Sequence, residues 1–239
     1  MYKLLITTSG TGSRLGKLTA YTNKSLLELK SRKIIDNILE VYDPKIPLVI
    51  TLGYYGDKVK QYLARKYITR SITFVVVDPY TGPKSSLAYS MLAAKEYLQC
   101  PFIFHCNDTI VKDKIPSPEK NNWDGVWKKT GKTFNTFSYS SVLIKNGLIT
   151  KLQPKGAKTA DALHIGLVGI KDYKVFWGKL SKIYKQNSLD QTLNDCSAIS
   201  AMIEKGIDFY PFFVKNWFDT GNTYTLTNAQ KKLQLVNSF

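Results

Sequence analysis

The sequence predicts an α/β fold built on a doubly wound, mostly parallel sheet, and three observations carry that prediction. Short apolar runs of strand length alternate with segments of helical periodicity as far as residue 108, the pattern of successive β-α units. A glycine-rich loop follows the first apolar run directly, and ligands of such sheets bind at the carboxyl ends of the strands. From residue 120 the pattern changes to a hairpin followed by further helices, so the second half adds a smaller mixed layer that finishes the sheet. A chain of 239 residues is ample for one hydrophobic core, and it contains no linker composition and no internal repeat. It reads as a single domain over residues 1–239, with residues 1–120 and 121–239 as its two halves.

The elements follow in order. Leu4, Leu5 and Ile6 make a buried parallel strand, and Ser9, Gly10, Thr11, Gly12 and Ser13 form the loop after it. Ile34, Ile35, Ile38, Leu39 and Tyr42 recur at helical spacing over residues 33–42. Residues 48–52 are a buried strand ended by Gly53, and residues 56–67 an amphipathic helix that turns Val59, Tyr62 and Leu63 inward. Residues 72–77 are a strand stopped by Asp78-Pro79, residues 85–98 a helix, and residues 102–106 a fourth strand. Asn146-Gly147 sets a hairpin turn between strands at 138–144 and 148–152. A strand at 163–170, helices at 172–185 and 190–205, a strand at 207–214 and a helix at 222–235 complete the chain. The whole is a Rossmann-like sheet with helices on both faces and a small mixed hairpin region in the second half.

The net charge of +16 draws anions, and nucleic acid is the usual partner of so basic a protein. Here the lysines are scattered through every segment, and the fifteen tyrosines do not interleave with them in any RNA-binding motif. The expected ligands are therefore small anions and not nucleic acid. Cys100, Cys106 and Cys196 have neither CxxC pairing nor a disulfide-type spacing, and Cys100 and Cys106, which flank the apolar run 102–104, are expected to be buried small hydrophobes in a reducing compartment. No apolar stretch approaches the ~20 residues of a membrane helix, so no membrane insertion is expected. The first strand starts right after Met1-Tyr2-Lys3 with no room for a signal peptide, and the expected location is the cytoplasm.

Residues 4–29 are the most informative stretch. Small residues let backbone N–H groups approach phosphate oxygens, and glycine permits the angles that aim several of them at one anion. Arg14 adds a forked donor and Lys24 a compact charge, so the segment describes a polyphosphate cradle. The loop alone is also compatible with a surface turn that carries stray basic residues. A dinucleotide fingerprint fails because Leu15 stands where a third glycine or alanine is needed and the region of Lys30, Arg32 and Lys33 is basic. A Walker A loop fails because no glycine precedes Lys24-Ser25.

Gly10, Gly12, Arg14, Leu15, Thr19 and the segment Asn23-Lys24-Ser25-Leu26 resemble the signature of the sugar-phosphate nucleotidyltransferases, the pyrophosphorylases that make nucleotide-activated sugars. Two departures mark a divergent branch: Thr8-Ser9 replaces the usual pair of alanines, and Asn23 replaces the proline before the lysine. The resemblance implies attack of a sugar-phosphate oxygen on the α-phosphorus of a nucleoside triphosphate with release of pyrophosphate, for surface polysaccharide or glycan synthesis. It implies Mg²⁺ as cofactor, with Asp108 and Asp219 as its carboxylates and Arg14 and Lys24 as catalytic cations. Ser9, Gly10, Thr11, Gly12, Ser13, Arg14, Gly82, Ser85, Ser86 and Asp108 would bind the nucleotide, and Lys24, Lys155 and Gly166 the acceptor. Read alone, Asp108 and Asp219 are also turn or cap residues, Gly82 to Ser86 a turn into a helix, and Gly166 a close-packing glycine.

A phosphate monoester has a second pKa near ~6, so the nucleophile is ionised at neutral pH and no base is required. His105 and His164 are accordingly expected to be structural. The altered base loop at residues 80–88 and the segment Gln153-Pro154-Lys155 leave a second acceptor class open, that of cytidylyltransferases acting on phosphocholine, polyol phosphates or similar non-pyranose phosphates. A nucleotide-sugar glycosyltransferase ranks below both, because Asp108-Thr109-Ile110 lacks the Asp-x-Asp pair. A regulatory relative without turnover is disfavoured by the retention of Arg14, Lys24, Asp108 and Asp219.

Overall fold

The structure is a computed structural model that describes residues 1–128 and 135–236. β1 (Lys3–Thr7) leads through the glycine loop into 3-10 turns at Ser13–Thr19 and Lys24–Leu26, then into the short ribbon β2 (Glu28–Leu29) and β3 (Arg32–Lys33). There follow α1 (Ile34–Leu39), β4 (Leu48–Leu52), α2 (Gly56–Lys66), β5 (Ile72–Val76), α3 (Leu87–Ala93) and β6 (Phe102–Cys106). The second half comprises β7 (Thr109–Val111), β8 (Asn122–Trp127), β9 (Ser141–Lys145), β10 (Leu148–Gln153), β11 (Ala162–Ile170), α4 (Tyr173–Gln186), α5 (Asp195–Ile203), β12 (Phe209–Phe213), β13 (Trp217–Asp219) and α6 (Thr223–Val236).

One nine-stranded sheet runs through both halves. β1 pairs in parallel with β4 and β6, and β4 with β5. β11 is antiparallel to β6 and to β8, while β12 is parallel to β8. The sheet branches at β11, because Ala162 and Leu163 also pair with β9 and so attach the β9-β10 hairpin. Period-two alternation sorts the core into two layers. Leu4 and Ile6 join the cluster under α1, α2 and α6, with Ile34, Ile38, Val59, Leu63 and Leu226. Leu5 points to the opposite face, where α3, α4 and α5 supply Met91, Phe176, Trp177, Leu180 and Ile199.

Local chemistry moves two helix boundaries from where periodicity puts them. The helix expected over 190–205 begins only at Asp195, because the Asp190 carboxylate accepts from the Thr192 backbone N–H at 2.8 Å and its hydroxyl at 2.6 Å and makes a turn. The segment 85–98 tightens after α3 into a 3-10 turn at Lys95–Leu98, whose Leu98 carbonyl accepts from Trp177 Nε1 at 3.0 Å.

Strand β11 has no room for a side chain at Gly169, since a Cβ there would lie 2.1 Å from Cε2 of the Trp123 indole. That ring is nearly buried and stacks edge-on against Phe212, with ring centroids 5.5 Å apart. Gly169→Ala is therefore expected to lower the unfolding free energy by ~1–3 kcal/mol, the typical cost of overpacking. Urea denaturation measures it; an unchanged midpoint would show that the indole shifts freely.

Candidate active site

The carboxyl ends of β1 and β6 open on a cleft of about 480 Å³. Its lining includes Ser9, Gly10, Thr11, Gly12, Arg14 and Lys24 from the first segment, Gly82, Ser85 and Ser86 from the loop before α3, and Asp108 after β6. Residues far apart in sequence are thus brought to one wall. Ser13 is not part of that lining, Lys155 lies on a second cleft, and Gly166 sits in β11 behind Cys106.

The loop owes its path to a few contacts. Gly12 takes a left-handed φ of 68°, and a Cβ on it would come within 3.0 Å of Thr19 Cγ2. Gly53, which ends β4, packs so closely that a Cβ there would lie 2.5 Å from the Ser9 carbonyl oxygen. Asn23, wholly buried, holds the turn that presents Lys24. Its amide donates to the carbonyls of Thr8 (2.8 Å) and Tyr54 (2.7 Å), and its oxygen accepts from the Ser25 backbone N–H (2.9 Å) and hydroxyl (2.8 Å). A proline could make none of the side-chain bonds, so the departure from the usual motif is a different way to fix the same turn. Asn23→Ala should cost ~2–3 kcal/mol, since it strands several buried polar groups. Thermal unfolding tests this; a loss under about 0.5 kcal/mol, the size of an ordinary surface change, contradicts it.

Lys24 is nearly buried and its Nζ lies 3.1 Å from Asp108 Oδ2, while Arg14 Nη2, on a more exposed side chain, lies 3.5 Å from the same oxygen. Burial pushes the Asp108 carboxyl up, but Lys24, the Cys106 thiol and Arg14 outweigh it and hold the group down at about 2. The carboxylate is therefore ionised at neutral pH.

Asp219 reaches the same place through a ribbon. β13 pairs antiparallel with β7, Asp219 opposite Thr109, and Thr220 donates to the Asp108 carbonyl from its N–H (2.8 Å) and its hydroxyl (3.1 Å). Asp219 Oδ1 accepts from the Gly221 N–H at 2.7 Å and Oδ2 from the Tyr139 hydroxyl at 2.6 Å. A Cβ on Gly221 would stand 2.9 Å from Asp219 Oδ1, 3.5 Å from Asp108 Oδ2 and 3.6 Å from Arg14 Nη1. Only a residue without a side chain leaves this point open between two carboxylates and a guanidinium. The donor set, hard carboxylate oxygens, suits a magnesium ion.

The second cleft, about 600 Å³, lies between β10 and the start of α5. Gln153, Lys155, Thr192, Asn194, Ser197 and Ser200 give it a wall of hydroxyls, amides and one cation. A third hollow of about 150 Å³ adjoins Asp219 and is walled by Trp127, Tyr139 and Trp217. The ring centroids of Trp127 and Tyr139 lie 5.5 and 5.2 Å from that of Trp217.

Gly166 has a φ of 74°, and a Cβ on it would meet the Cys106 Cβ at 2.7 Å, so packing alone demands glycine there. His105 is wholly buried; its Nε2–H donates to the Thr109 carbonyl (2.8 Å), so Nδ1 accepts from the Tyr42 hydroxyl (2.7 Å). Burial drives its pKa down to about 4, which leaves it neutral at pH 7.

Three residues of this region have no motif behind them. Ser90, on α3, shares a 2.7 Å hydrogen bond with the Ser9 hydroxyl; its only mark in the sequence is a polar residue in an apolar helical stripe. Gln191 lines the cleft from a stretch that periodicity assigns to a helix. Tyr139 carries no signal at all.

Comparison with protein-family models and with curated protein sequences finds no match. Solved structures do match along the whole chain. A CTP:phosphocholine cytidylyltransferase from Streptococcus pneumoniae is 17% identical with a TM-score of 0.79, over 97% of this chain and 99% of the other. A putative glucose-1-phosphate thymidylyltransferase from Bacillus anthracis is 19% identical with a TM-score of 0.81, over 100% and 98%. The inositol-1-phosphate CTP transferase from T. maritima is 17% identical with a TM-score of 0.72, over 98% and 96%. The chain has the fold of these nucleotidyltransferases from end to end.

Proposed function

We propose that the protein is a magnesium-dependent nucleotidyltransferase that joins a nucleoside triphosphate to a sugar phosphate and releases pyrophosphate. The observation that carries this reading is the convergence of Arg14, Lys24, Asp108 and Asp219 beside the glycine loop. The backbone N–H groups of residues 9–13 cradle the outer phosphates. Arg14 and Lys24 move from Asp108 to the triphosphate, where their charge offsets what accumulates on the departing pyrophosphate. Asp108 and Asp219 would hold the magnesium ion, whose charge would polarise the α-phosphate. The loop carrying Gly82, Ser85 and Ser86 receives the base. No side chain needs to take a proton, because the acceptor phosphate is already a dianion near neutral pH; a neutral, fully hydrogen-bonded His105 is consistent with that.

Polar groups of the second cleft, Lys155 among them, suit a polyhydroxylated acceptor with its phosphate directed at Lys24. A second acceptor reading rests on the hollow of Trp127, Tyr139 and Trp217 beside Asp219, since aromatic faces next to a carboxylate suit a quaternary ammonium such as phosphocholine.

The test is pyrophosphate release from purified protein with Mg²⁺, each common triphosphate in turn, and separate panels of sugar phosphates, polyol phosphates and phosphocholine. Release with a sugar phosphate supports the first reading, and release with phosphocholine alone the second. No release with any pair removes both.

A further inference from the structure

We propose that His164, Asp195 and Cys196 form a zinc site between β11 and α5. A ring nitrogen of His164, a carboxylate oxygen of Asp195 and the Sγ of Cys196 lie within 4.8 Å of one another. His164 and Asp195 are almost wholly enclosed, at 8% and 3% exposure. Nitrogen, carboxylate and thiol are the donors that zinc takes, and magnesium is poorly served by a soft sulfur.

Two further observations point to an ion and away from a mere ionic cluster. Asp195 Oδ2 lies 3.2 Å from His164 Nε2, yet it has no hydrogen-bond partner among the described residues. The imidazole N–H does not aim at the oxygen, so a buried carboxylate is left facing the histidine and unsatisfied. On the far side of the ring, Nδ1 lies 2.8 Å from Asp124 Oδ1, and Asp124 is fully buried. A carboxylate that grips one imidazole nitrogen fixes the tautomer and aims the other at a metal.

Charge and protons balance. Zinc takes the place of the thiol proton on Cys196 and binds the bare Nε2 of His164, while the Nδ1 proton stays on the bond to Asp124. The resulting dication is matched by the Cys196 thiolate and the Asp195 carboxylate. Cys196 also forms part of the wall of the second cleft. The site stands independently of the transferase reading.

Co²⁺ serves as the spectroscopic probe. Chelator-stripped, reduced full-length protein titrated with Co²⁺ should develop a thiolate-to-cobalt charge-transfer band and strong visible bands, saturate at one ion per chain, and bleach on addition of Zn²⁺. Cys196→Ser should abolish the charge-transfer band with an unchanged circular dichroism spectrum. Asp124→Asn, which leaves all three ligands, should weaken zinc binding ~10–100-fold in competition with a chromophoric chelator. Absence of the band in the wild-type protein, or its survival in Cys196→Ser, overturns the proposal. Weak visible bands without charge transfer would locate cobalt on the oxygen ligands Asp108 and Asp219 and overturn it equally.

Discussion

Asp108→Asn is expected to lower nucleotidyl transfer by ~10²–10³-fold or more, the usual cost of deleting one preorganised electrostatic partner of a reacting group. Asparagine keeps the shape of the side chain and the Asp108 carbonyl that binds Thr220, so the β7-β13 ribbon should survive. What is lost is the charge. In the wild-type protein that charge is present throughout the neutral range, because Lys24, Cys106 and Arg14 hold the carboxyl at about 2 against the opposing effect of burial. The decisive comparison is kcat at saturating Mg²⁺ together with the thermal midpoint. Wild-type turnover in a folded Asp108→Asn variant would show that the metal is held elsewhere.

Lys24→Met should be comparably severe, with a loss of ~10²–10³-fold in kcat/KM. Methionine fills the nearly buried path of the lysine stem, so packing is retained while the ammonium 3.1 Å from Asp108 is removed. Lys24 makes the largest of the contributions that depress the Asp108 carboxyl, so the variant should also show an acid limb of its pH–rate profile displaced upward. Lys24→Arg should not restore activity, because a planar fork does not occupy the space of a compact ammonium. Undiminished kcat/KM in Lys24→Met would remove the lysine from the chemistry.

How much of this was readable from residues alone follows from where each signal lives. β1, β4 and β6 announce themselves because a strand buried on both faces must be a continuous apolar run, and the half-exposed edge strand β5 is mostly apolar as well. β8 does not, because Asp124 and Gly125 interrupt it. Gly125 is there since a Cβ would lie 2.8 Å from the Leu167 carbonyl oxygen, and Asp124 because it holds His164. β7 and β13 are too short to show any period, yet their pairing is what sets Asp219 beside Asp108. The glycine loop, Arg14 and Lys24 were legible as one stretch of chain. Asp219 was legible only through its place in an ordered set of landmarks. Tyr139 and the cluster around His164 were not legible, since neighbours joined across a sheet leave no spacing to detect.

β11 has one more consequence. Its middle, at Gly166, packs behind Cys106 in the wall of the first cleft, while its first residues, Ala162 and Leu163, carry the β9-β10 hairpin that walls the second cleft. The hairpin is thus a cassette clipped to a shared rail. Under the proposed function, exchanging residues 141–153 for those of a chain with another acceptor is expected to change the acceptor while the glycine loop, Lys24 and Asp108 stay in register, because β1 and β6 pair with each other and not with the cassette.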